Sequence, residues 1–368
     1  MSSRLTYKFR IYPTKRQIAL LDGTLAGCCE LYNAALQERR DAWCINRESI
    51  NFAGQSAQLV EIKQVRPELN GIYSQVLQDT LHRVDKTFKS FFGRVKRKAK
   101  AGFPRFRARS RYDSFTYPQL GFSLQGSHLC LSKIGKVKIK LHREIEGQTK
   151  TLTIKREAGR WFACFSVEAE VKPLPVRTES IGIDVGLLSF ATLSDGTEID
   201  NPRYYREAQK QLRIAQRKVA RRKKGSRRRR KAVQLLQRAH AHVRNRRSDF
   251  HHKMSCWLVN EYGLIAVEDL NVKGLASGML AKSVNDAGWS AFIAKLAYKA
   301  ENAGRELMRV DPRGTSQTCL CGASTPKTLS QRWHKCSACG LSANRDHVSA
   351  QLILARGLRV QDSRCSVS

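Results

Sequence analysis

The chain has 368 residues, with 67 Lys or Arg against 31 Asp or Glu, and its formal net charge is +36. Such an excess argues against a single-domain metabolic enzyme or an acid-binding module. It predicts a polyanionic partner, most often nucleic acid, because Lys and Arg release counterions condensed on phosphates. The length predicts two or three domains. No run of about 18 apolar residues and no apolar signal core are present, so we expect no membrane partner.

The N-terminal segment predicts one strand and two helices. Residues 4–12 alternate apolar with basic side chains, which is typical of a strand, and Pro13 ends it. Apolar residues then recur at steps of three and four, at Ile18, Leu21, Leu25, Cys28, Tyr32 and Ala35, which predicts an amphipathic helix. A similar stripe over about 72–92 includes Leu77, Leu81, Val84, Phe88, Phe91 and Phe92. Both stripes are expected to lie in the core.

Residues 89–111 are basic and aromatic. They contain ten Lys or Arg, four Phe and no acidic residue. Cations neutralise phosphates and rings stack on bases, so this pattern favours contact with nucleic acid. The alternative is a solvated linker whose rings lie in the core. The candidate nucleic-acid-binding residues here are Lys96, Arg97 and Lys98.

Residues 112–170 have β character. Val137 and Ile139 alternate with lysines, residues 152–154 and 161–167 alternate similarly, and a hairpin turn is predicted over 157–160. These patterns predict a small antiparallel barrel or sheet. Pro173 and Pro175 then mark a domain boundary.

The C-terminal half alternates strands with helices. Strands are predicted within 181–196 and at 264–267 and 307–310, and helices at about 288–304 and 346–356. This alternation predicts an α/β core.

Residues 203–247 contain half of the charge excess. They include nineteen Lys or Arg and one acidic residue, so the net charge is 19 − 1 = +18. Gly225 and Ser226 interrupt two helix-compatible segments, which predicts a helical hairpin. A solvated face is the alternative, but this charge would repel itself without a polyanion. The candidate nucleic-acid-binding residues are Arg221, Arg222, Lys223, Lys224, Arg227, Arg228, Arg229 and Arg230.

Three acidic residues follow or interrupt the predicted elements of the α/β core. Asp184 interrupts an apolar strand, Glu268 follows another, and Asp346 starts the last helix. Carboxylates from separate elements can hold two Mg²⁺ about 3.5–4 Å apart for phosphodiester hydrolysis. Each acid alone has an ordinary alternative: Asp346 could cap its helix and Glu268 could be a strand-end carboxylate.

Four of the eleven cysteines form two close pairs. Cys319 and Cys321 are separated by fourteen residues from Cys336 and Cys339, which predicts one closed, structural Zn²⁺ site. His334 is a possible substitute ligand, and unmetallated thiols are the alternative. The other seven, interpreted as small reduced hydrophobic residues, are Cys28, Cys29, Cys44, Cys130, Cys164, Cys256 and Cys365.

These motifs together resemble the TnpB (OrfB) family of insertion-sequence proteins, which are RNA-guided DNA endonucleases similar to type V CRISPR effectors. The resemblance covers nearly the whole chain. It rests on Tyr7-Lys-Phe-Arg-Ile-Tyr-Pro13, Tyr112-Asp-Ser-Phe-Thr-Tyr-Pro-Gln119, Ile183-Asp-Val-Gly-Leu187, Val267-Glu-Asp-Leu-Asn-Val-Lys-Gly274, Asp311-Pro-Arg, Thr315-Ser-Gln-Thr-Cys319, and Cys339-Gly through Arg345-Asp346.

The resemblance implies a fold with α/β, α and β parts. A wedge-type β-barrel would comprise 1–12 and 111–172, with a helical recognition domain inserted at 13–110. A RuvC nuclease core of RNase H-like fold would comprise 178–312 and 343–368, including the basic hairpin at 203–247. A zinc ribbon would be inserted in that core at 313–342.

The resemblance also implies an activity and its partners. Asp184, Glu268 and Asp346 fall on the catalytic positions of the family, where Asp184 would bridge two Mg²⁺ and the other two would bind one each. A guide RNA from the transposon end would select double-stranded target DNA by pairing, with the heteroduplex held by its backbone in a basic channel. A separate transposase protein is a possible partner, and the expected location is cytoplasmic and nucleoid-associated, in a bacterium or archaeon.

A short motif beside the target would be read by polar side chains that can reach base edges. Our candidates are Gln75, Gln78, His82, Ser114, Thr116 and Gln119. A plain helix surface and strand edge are the alternatives.

The chain departs from the family pattern in three places. The first cysteine pair is one residue shorter, Val348 and Leu352 stand where the family often has Asn, and the C-terminal tail is short. All three acids are present, so we expect an active nuclease. The alternatives are an RNA-guided DNA-binding repressor without cleavage and an RNA-independent DNA transposase.

Overall fold

The computed structural model of the chain describes residues 2–328 and 331–365, with side chains for 3–328 and 331–362. It divides into two compact units, Met1–Glu170 and Val171–Ser368, and the division falls next to the boundary predicted at Pro173. Residues 1, 329, 330 and 366–368, which the predicted domains include, lie outside the described residues. No helix in the described part combines the length and hydropathy of a membrane span.

The first unit combines helices with one antiparallel sheet. Its elements are β1 (Ser2–Tyr12), α1 (Lys15–Asn46), α2 (Phe52–Ala57), α3 (Leu59–Val65), α4 (Ser74–Lys96), β2 (Ser114–Tyr117), β3 (Phe122–Gln125), β4 (His128–Leu131), β5 (Gly135–Lys140), β6 (Gln148–Glu157) and β7 (Arg160–Glu170). The strand order is β2-β6-β7-β1-β5-β4-β3. The predicted alternation is confirmed, since Phe9 and Ile11 of β1 are buried. Ala158 and Gly159 form the predicted hairpin turn with positive φ angles.

The helical stripes are confirmed in their central parts only. Leu25 of α1 and Leu77 of α4 are buried in the same core as β1. The stripes were expected to be buried throughout, which is wrong at their ends: Ile18 and Phe92 are exposed. Ile18 lies in the first turn of α1 and Phe92 in the last turns of α4, beyond the buried stretch of each helix.

The second unit is an α/β sandwich. Its elements are β8 (Ser180–Val185), β9 (Ser189–Leu193), β10 (Glu198–Asp200), α5 (Tyr204–Ala220), α6 (Arg227–Glu261), β11 (Leu264–Glu268), α7 (Val272–Leu275), α8 (Ala281–Ala287), α9 (Trp289–Ala303), β12 (Glu306–Val310), β13 (Trp333–Lys335), β14 (Ser342–Asn344) and α10 (Arg345–Cys365). The main sheet has the order β10-β9-β8-β11-β12. Its first three strands are antiparallel, and β8, β11 and β12 are parallel.

Helices cover both faces of this sheet. On one face, Ile183 and Val267 share a core with Leu258 of α6 and Phe292 of α9. On the other face, Ala266 packs with Ile353 of α10. Because side chains alternate along a strand, every second residue of β8 and β11 faces α10. α10 extends nine residues beyond the predicted helix end at 356.

α10 approaches β8 too closely for any side chain at Gly182. A Cβ atom there would lie 2.2 Å from the carbonyl oxygen of Ala350 and 2.7 Å from the backbone nitrogen of Leu354. Backbone atoms cannot move aside as a flexible side chain would. Gly182 therefore sets the distance between helix and sheet.

We expect Gly182→Ala to lower the free energy of unfolding by about 1–3 kcal/mol, the usual cost of overpacking a core. Differential scanning calorimetry measures this loss. Gly278→Ala is the matched control, because a Cβ atom at Gly278 meets nothing within 4 Å. Equal melting temperatures for the two variants would contradict the packing argument.

Candidate active site and metal-binding residues

Two of the three predicted acids lie at the carboxyl ends of neighbouring parallel strands. Ile183 of β8 pairs with Val267 of β11, so Asp184 and Glu268 come next at the same level. Both lie on the α10 face, because Gly182 and Ala266, two residues earlier, pack against that helix. Asp346 lies in the first turn of α10. The structure therefore brings together three acids from separate elements.

The clustering of the three carboxylates affects the pKa of Asp184. Burial raises the pKa of the Asp184 carboxyl well above its ordinary value, and the carboxylates of Glu268 and Asp346 raise it further, against a smaller opposing effect of Arg345. A divalent cation would remove this repulsion, and hard cations prefer carboxylate oxygens. The three residues are therefore candidate metal ligands; among the described residues, the four cysteines alone form a group whose ligand atoms all lie within 4.8 Å of one another.

Glu268 accepts a hydrogen bond from Thr315, to which the sequence alone gave no role. The Thr315 hydroxyl donates to Oε1 of Glu268 over 2.5 Å and also lies 3.0 Å from the carbonyl oxygen of Pro312. Burial raises the pKa of Glu268, while this hydrogen bond and the charge of Arg356 oppose the rise. Thr315 belongs to the Thr315-Ser-Gln-Thr motif, which can be recognised in the sequence. Its contact with Glu268 cannot, because the two residues are brought together only in the folded structure.

Asp346 is held by backbone and arginine contacts. Its backbone nitrogen donates to Oδ1 of Asn344 over 2.9 Å, and the Arg345 guanidinium contacts its Oδ1 at 3.0 Å. Arg332 lies 3.8 Å from its Oδ2. The N-terminus of α10 also favours a negative charge here. Asp346 is thus both a helix-start residue and a member of the acidic cluster.

Val348 and Leu352 lie on α10 beyond Asp346. Val348 is buried and Leu352 is half-buried. Neither side chain can bind a metal ion, so in this chain the described carboxylates are the candidate ligands on these elements.

The four paired cysteines converge as predicted. Their sulfur atoms all lie within 4.8 Å of one another, with Cys319 and Cys339 at 3.6 Å and Cys321 and Cys336 at 3.7 Å. A tetrahedral zinc site with Zn–S bonds of about 2.3 Å places its sulfurs about 3.8 Å apart. The one-residue spacing of the first pair therefore does not prevent a tetrahedral set.

His334 is not part of the cysteine group. Its Nδ1 contacts the Nζ of Lys327, and burial lowers its pKa. Two of the remaining cysteines, Cys44 and Cys256, are free thiols at exposed positions of α1 and α6. The side chain of Cys365 lies outside the described residues.

The basic hairpin is formed by α5 and the first half of α6, as predicted. Most of its candidate cations are exposed, namely Arg221, Arg222, Lys223, Lys224, Arg227, Arg228 and Arg230. Arg229 differs because its Nη1 donates to the carbonyl oxygens of Val219 and Arg222 at 2.8 and 2.9 Å. Arg229 therefore stabilises the turn, and the others present positive charge to solvent.

The basic segment of the first unit, residues 89–111, comprises the end of α4 and the loop that follows it. Lys96, Arg97 and Lys98 are exposed. The loop is fixed at Arg107, whose backbone nitrogen and oxygen both bond to the Asn33 amide, at 2.8 and 2.9 Å. The segment is thus an ordered part of this unit, in contrast to a free linker.

The candidate motif-reading residues lie on α4, β2 and the turn after β2. Gln78 and Gln119 are exposed, while Gln75, His82, Ser114 and Thr116 are half-buried. Thr116 is already engaged, since its Oγ1 accepts from Arg83 over 2.7 Å and lies 2.8 Å from Oγ1 of Thr153. His82 packs against the Phe52 ring. Oε1 of Gln75 accepts from the backbone nitrogen of Leu120 over 3.4 Å, so Gln78 and Gln119 are the most available of these groups.

Three family models match parts of the chain. They are described as a probable transposase, over residues 164–278, a Cas12f1-like TNB domain, over 289–353, and a helix-turn-helix domain, over 1–47.

Two curated relatives match nearly the full length. The first, from Streptomyces pristinaespiralis, carries the name "Putative RNA-guided DNA endonuclease"; it is 36% identical over 96% of this chain and 89% of its own. The second, from Escherichia coli K12, carries the same name with the addition InsQ; it is 30% identical over 95% of this chain and 92% of its own. A solved Cas12f1–sgRNA–target DNA complex matches with a TM-score of 0.37 and 16% identity, over 96% and 99% of the two chains.

We expect Asp184→Asn to stabilise the protein in buffer without Mg²⁺. Because the pKa of Asp184 is raised in the folded state, the folded protein retains a proton that the unfolded chain has lost. The free energy of unfolding of the wild type therefore falls as the pH rises above about 3.9, the ordinary pKa of an Asp side chain. The melting-temperature advantage of the variant should therefore grow from pH 4 upwards and then level off. Thermal unfolding across a pH series measures it.

Asp195→Asn is the control with the opposite sign. Burial raises the pKa of Asp195, but hydrogen bonds from Thr197 and Tyr262 outweigh this effect and lower it overall. This variant should be destabilised above pH 4, with the difference vanishing on acidification. Equal pH profiles for the two variants would contradict the assigned electrostatics.

We expect one Zn²⁺ per chain, measured by elemental analysis of protein purified without chelator. Cys336→Ser should lose the metal, because three thiolates and a hydroxyl hold zinc poorly. Cys256→Ser, which alters an exposed thiol outside the group, should retain it. A metal-free wild type would contradict the assignment.

Proposed function

Because the chain belongs to the TnpB (OrfB) family of insertion-sequence proteins, we propose that it is an RNA-guided DNA endonuclease of a transposable element. One observation carries the proposal: Asp184, Glu268 and Asp346 lie together at one edge of the α/β sheet, although 83 and 77 residues lie between them in turn. A binding protein without catalysis has no need of three like-charged carboxylates together.

We propose that these acids are the catalytic residues of a RuvC-type, RNase H-like core. Asp184, Glu268 and Asp346 would together hold the two Mg²⁺. Bound there, the metal would activate water and stabilise the charge that develops on the phosphodiester. The strand order and parallel β8–β11 pairing support this core.

The surrounding residues have positioning roles in this proposal. Thr315 fixes the orientation of Glu268, and Arg345 fixes that of Asp346. Thr315 occupies Oε1 of Glu268. Arg345 occupies Oδ1 of Asp346, whose Oδ2 lies 3.8 Å from Arg332. The zinc ribbon has a structural role, because four thiolate ligands leave no open position.

The nucleic-acid partners are a guide RNA from the transposon end and double-stranded target DNA. The exposed cations of the hairpin and of residues 96–98 are proposed to contact phosphates, and Gln78 and Gln119 are the most accessible candidates for reading a target-adjacent motif. The transposition reaction would be performed by a separate transposase protein.

We expect Glu268→Gln to reduce Mg²⁺-dependent cleavage of guide-matched DNA by several orders of magnitude. The measurement is cleavage of labelled DNA by protein reconstituted with its co-purified RNA. Asp269→Asn is the matched control, because Asp269 is the adjacent acid but is exposed and pairs with Arg309. It should cleave at nearly the wild-type rate.

The same assay separates the alternatives. Target occupancy without broken strands, unaffected by Glu268→Gln, would indicate a repressor. Strand joining by RNase-treated protein would indicate an RNA-independent transposase. Sequencing of co-purifying RNA should give one discrete species, whereas random fragments would argue against guidance.

A further inference from the structure

A cleft of about 520 Å³ lies within the first unit, far along the chain from the carboxylates. It lies between α1, the end of α4 and the basic loop. Its lining includes five aromatic side chains, Trp43, Phe88, Phe91, Phe92 and Phe103. Trp43 and Phe92 are each 54% exposed and Phe103 is 48% exposed. Three half-exposed rings around one cleft indicate a surface that binds something.

The rings are held in place by one another. Phe103 packs edge-on against Phe88 and Phe91 at centroid distances of 5.8 and 5.4 Å, and Phe92 stacks on Phe88 at 6.3 Å. The loop that carries Phe103 is fixed by the Asn33 amide at Arg107. The cleft is therefore preformed.

A buried guanidinium with a spare donor lines the same cleft. Arg39 is 8% exposed; its Nε donates to Oε1 of Gln55 over 2.8 Å, and its Nη1 lies 3.3 Å from Oδ1 of Asp85. Among the described residues, none accepts a hydrogen bond from its buried Nη2. An unsatisfied buried donor costs free energy, so its position at a cleft points to an acceptor atom on a ligand.

The charges at the rim identify the kind of ligand. Arg40 is an exposed cation, and Lys89 pairs with Asp85, which also contacts Arg39. Glu48 is an exposed acid at the same rim, so the charged side chains of the lining, three basic and two acidic, have a net charge of +1. Flat rings, a buried donor and rim cations together suit a planar group that carries acceptors and an attached anion. A nucleotide has all of these features.

We propose that this cleft binds one unstacked base of a single-stranded nucleic acid. The base stacks on the exposed rings, an acceptor on its edge takes the hydrogen bond from Nη2 of Arg39, and its phosphate lies near Arg40 or Lys89. The site goes beyond the proposed nuclease, since it assigns no step of cleavage to these residues. Its occupancy can be measured without Mg²⁺.

The test uses the full-length protein, freed of RNA at high salt, and fluorescent ten-nucleotide oligo(U) and oligo(dT). Trp43→Ala and Phe92→Ala should each weaken binding by roughly 5- to 150-fold, the range for loss of one base–aromatic stack. Both rings are exposed, so the variants should fold. A larger effect on oligo(U) would identify an RNA segment as the occupant, and a larger effect on oligo(dT) a DNA strand.

Phe103→Ala and Phe106→Ala form a matched pair. Both rings are 48% exposed on the same basic loop, but only Phe103 lines the cleft. Binding should weaken for Phe103→Ala and stay within twofold of wild type for Phe106→Ala. Equal losses for the pair, or no loss for any ring of the cleft, would overturn the proposal.

Cys44 gives a second readout because its exposed thiol lines the cleft. Bound oligonucleotide should slow its alkylation by iodoacetamide several-fold, as followed by mass spectrometry. The exposed Cys256 is the internal reference and should react at an unchanged rate. Unchanged alkylation of Cys44 at saturation would also overturn the proposal. Neither readout requires cleavage, so a failed nuclease proposal would leave this test intact.

Discussion

The close approach of α10 to β8 at Gly182 determines the geometry of the acidic cluster. Asp184 and Glu268 are fixed relative to each other by the parallel pairing of β8 and β11. Asp346, however, belongs to a helix, and its position depends on how closely that helix packs on the sheet. Gly357, where a Cβ atom would lie 2.6 Å from the Cβ of Ala266, maintains the same approach further along α10. Two glycines thus hold the third acid beside the other two.

The electrostatics of the site oppose the stability of the fold. Arg345 and Arg332 contact Asp346, and Thr315 donates a hydrogen bond to Glu268, but Asp184 is half-buried beside both carboxylates. Such unfavourable arrangements are typical of functional sites, where binding of a ligand offsets the repulsion. In a chain of net charge +36, the acids are also surrounded by a field that attracts phosphate.

Much of the fold could be predicted from local pattern. The alternation around Phe9, the turn at Ala158 and Gly159, and the interruption at Gly225 each act over a few residues, and the structure contains all three features. The three acids were identified by their positions in the predicted strands and at the start of a helix, and the resemblance to a family strengthened their assignment to one site, because no local pattern links Asp184 to Asp346. The contact between Thr315 and Glu268, the inward turn of Arg229 and the orphaned donor of Arg39 depend on residues distant in sequence. Those contacts exist only after the elements pack.

The cysteine cluster lies in the segment that joins β12 to α10, between Thr315 and Asp346. This segment of more than thirty residues contains two short strands, β13 and β14, so it has little apolar surface of its own to bury. A metal ion shared by its two ends would close it as a loop and reduce the entropy lost on ordering it. The start of α10, and with it the third acid, would then be coupled thermodynamically to the supply of zinc in the cell, although zinc itself takes no part in the chemistry.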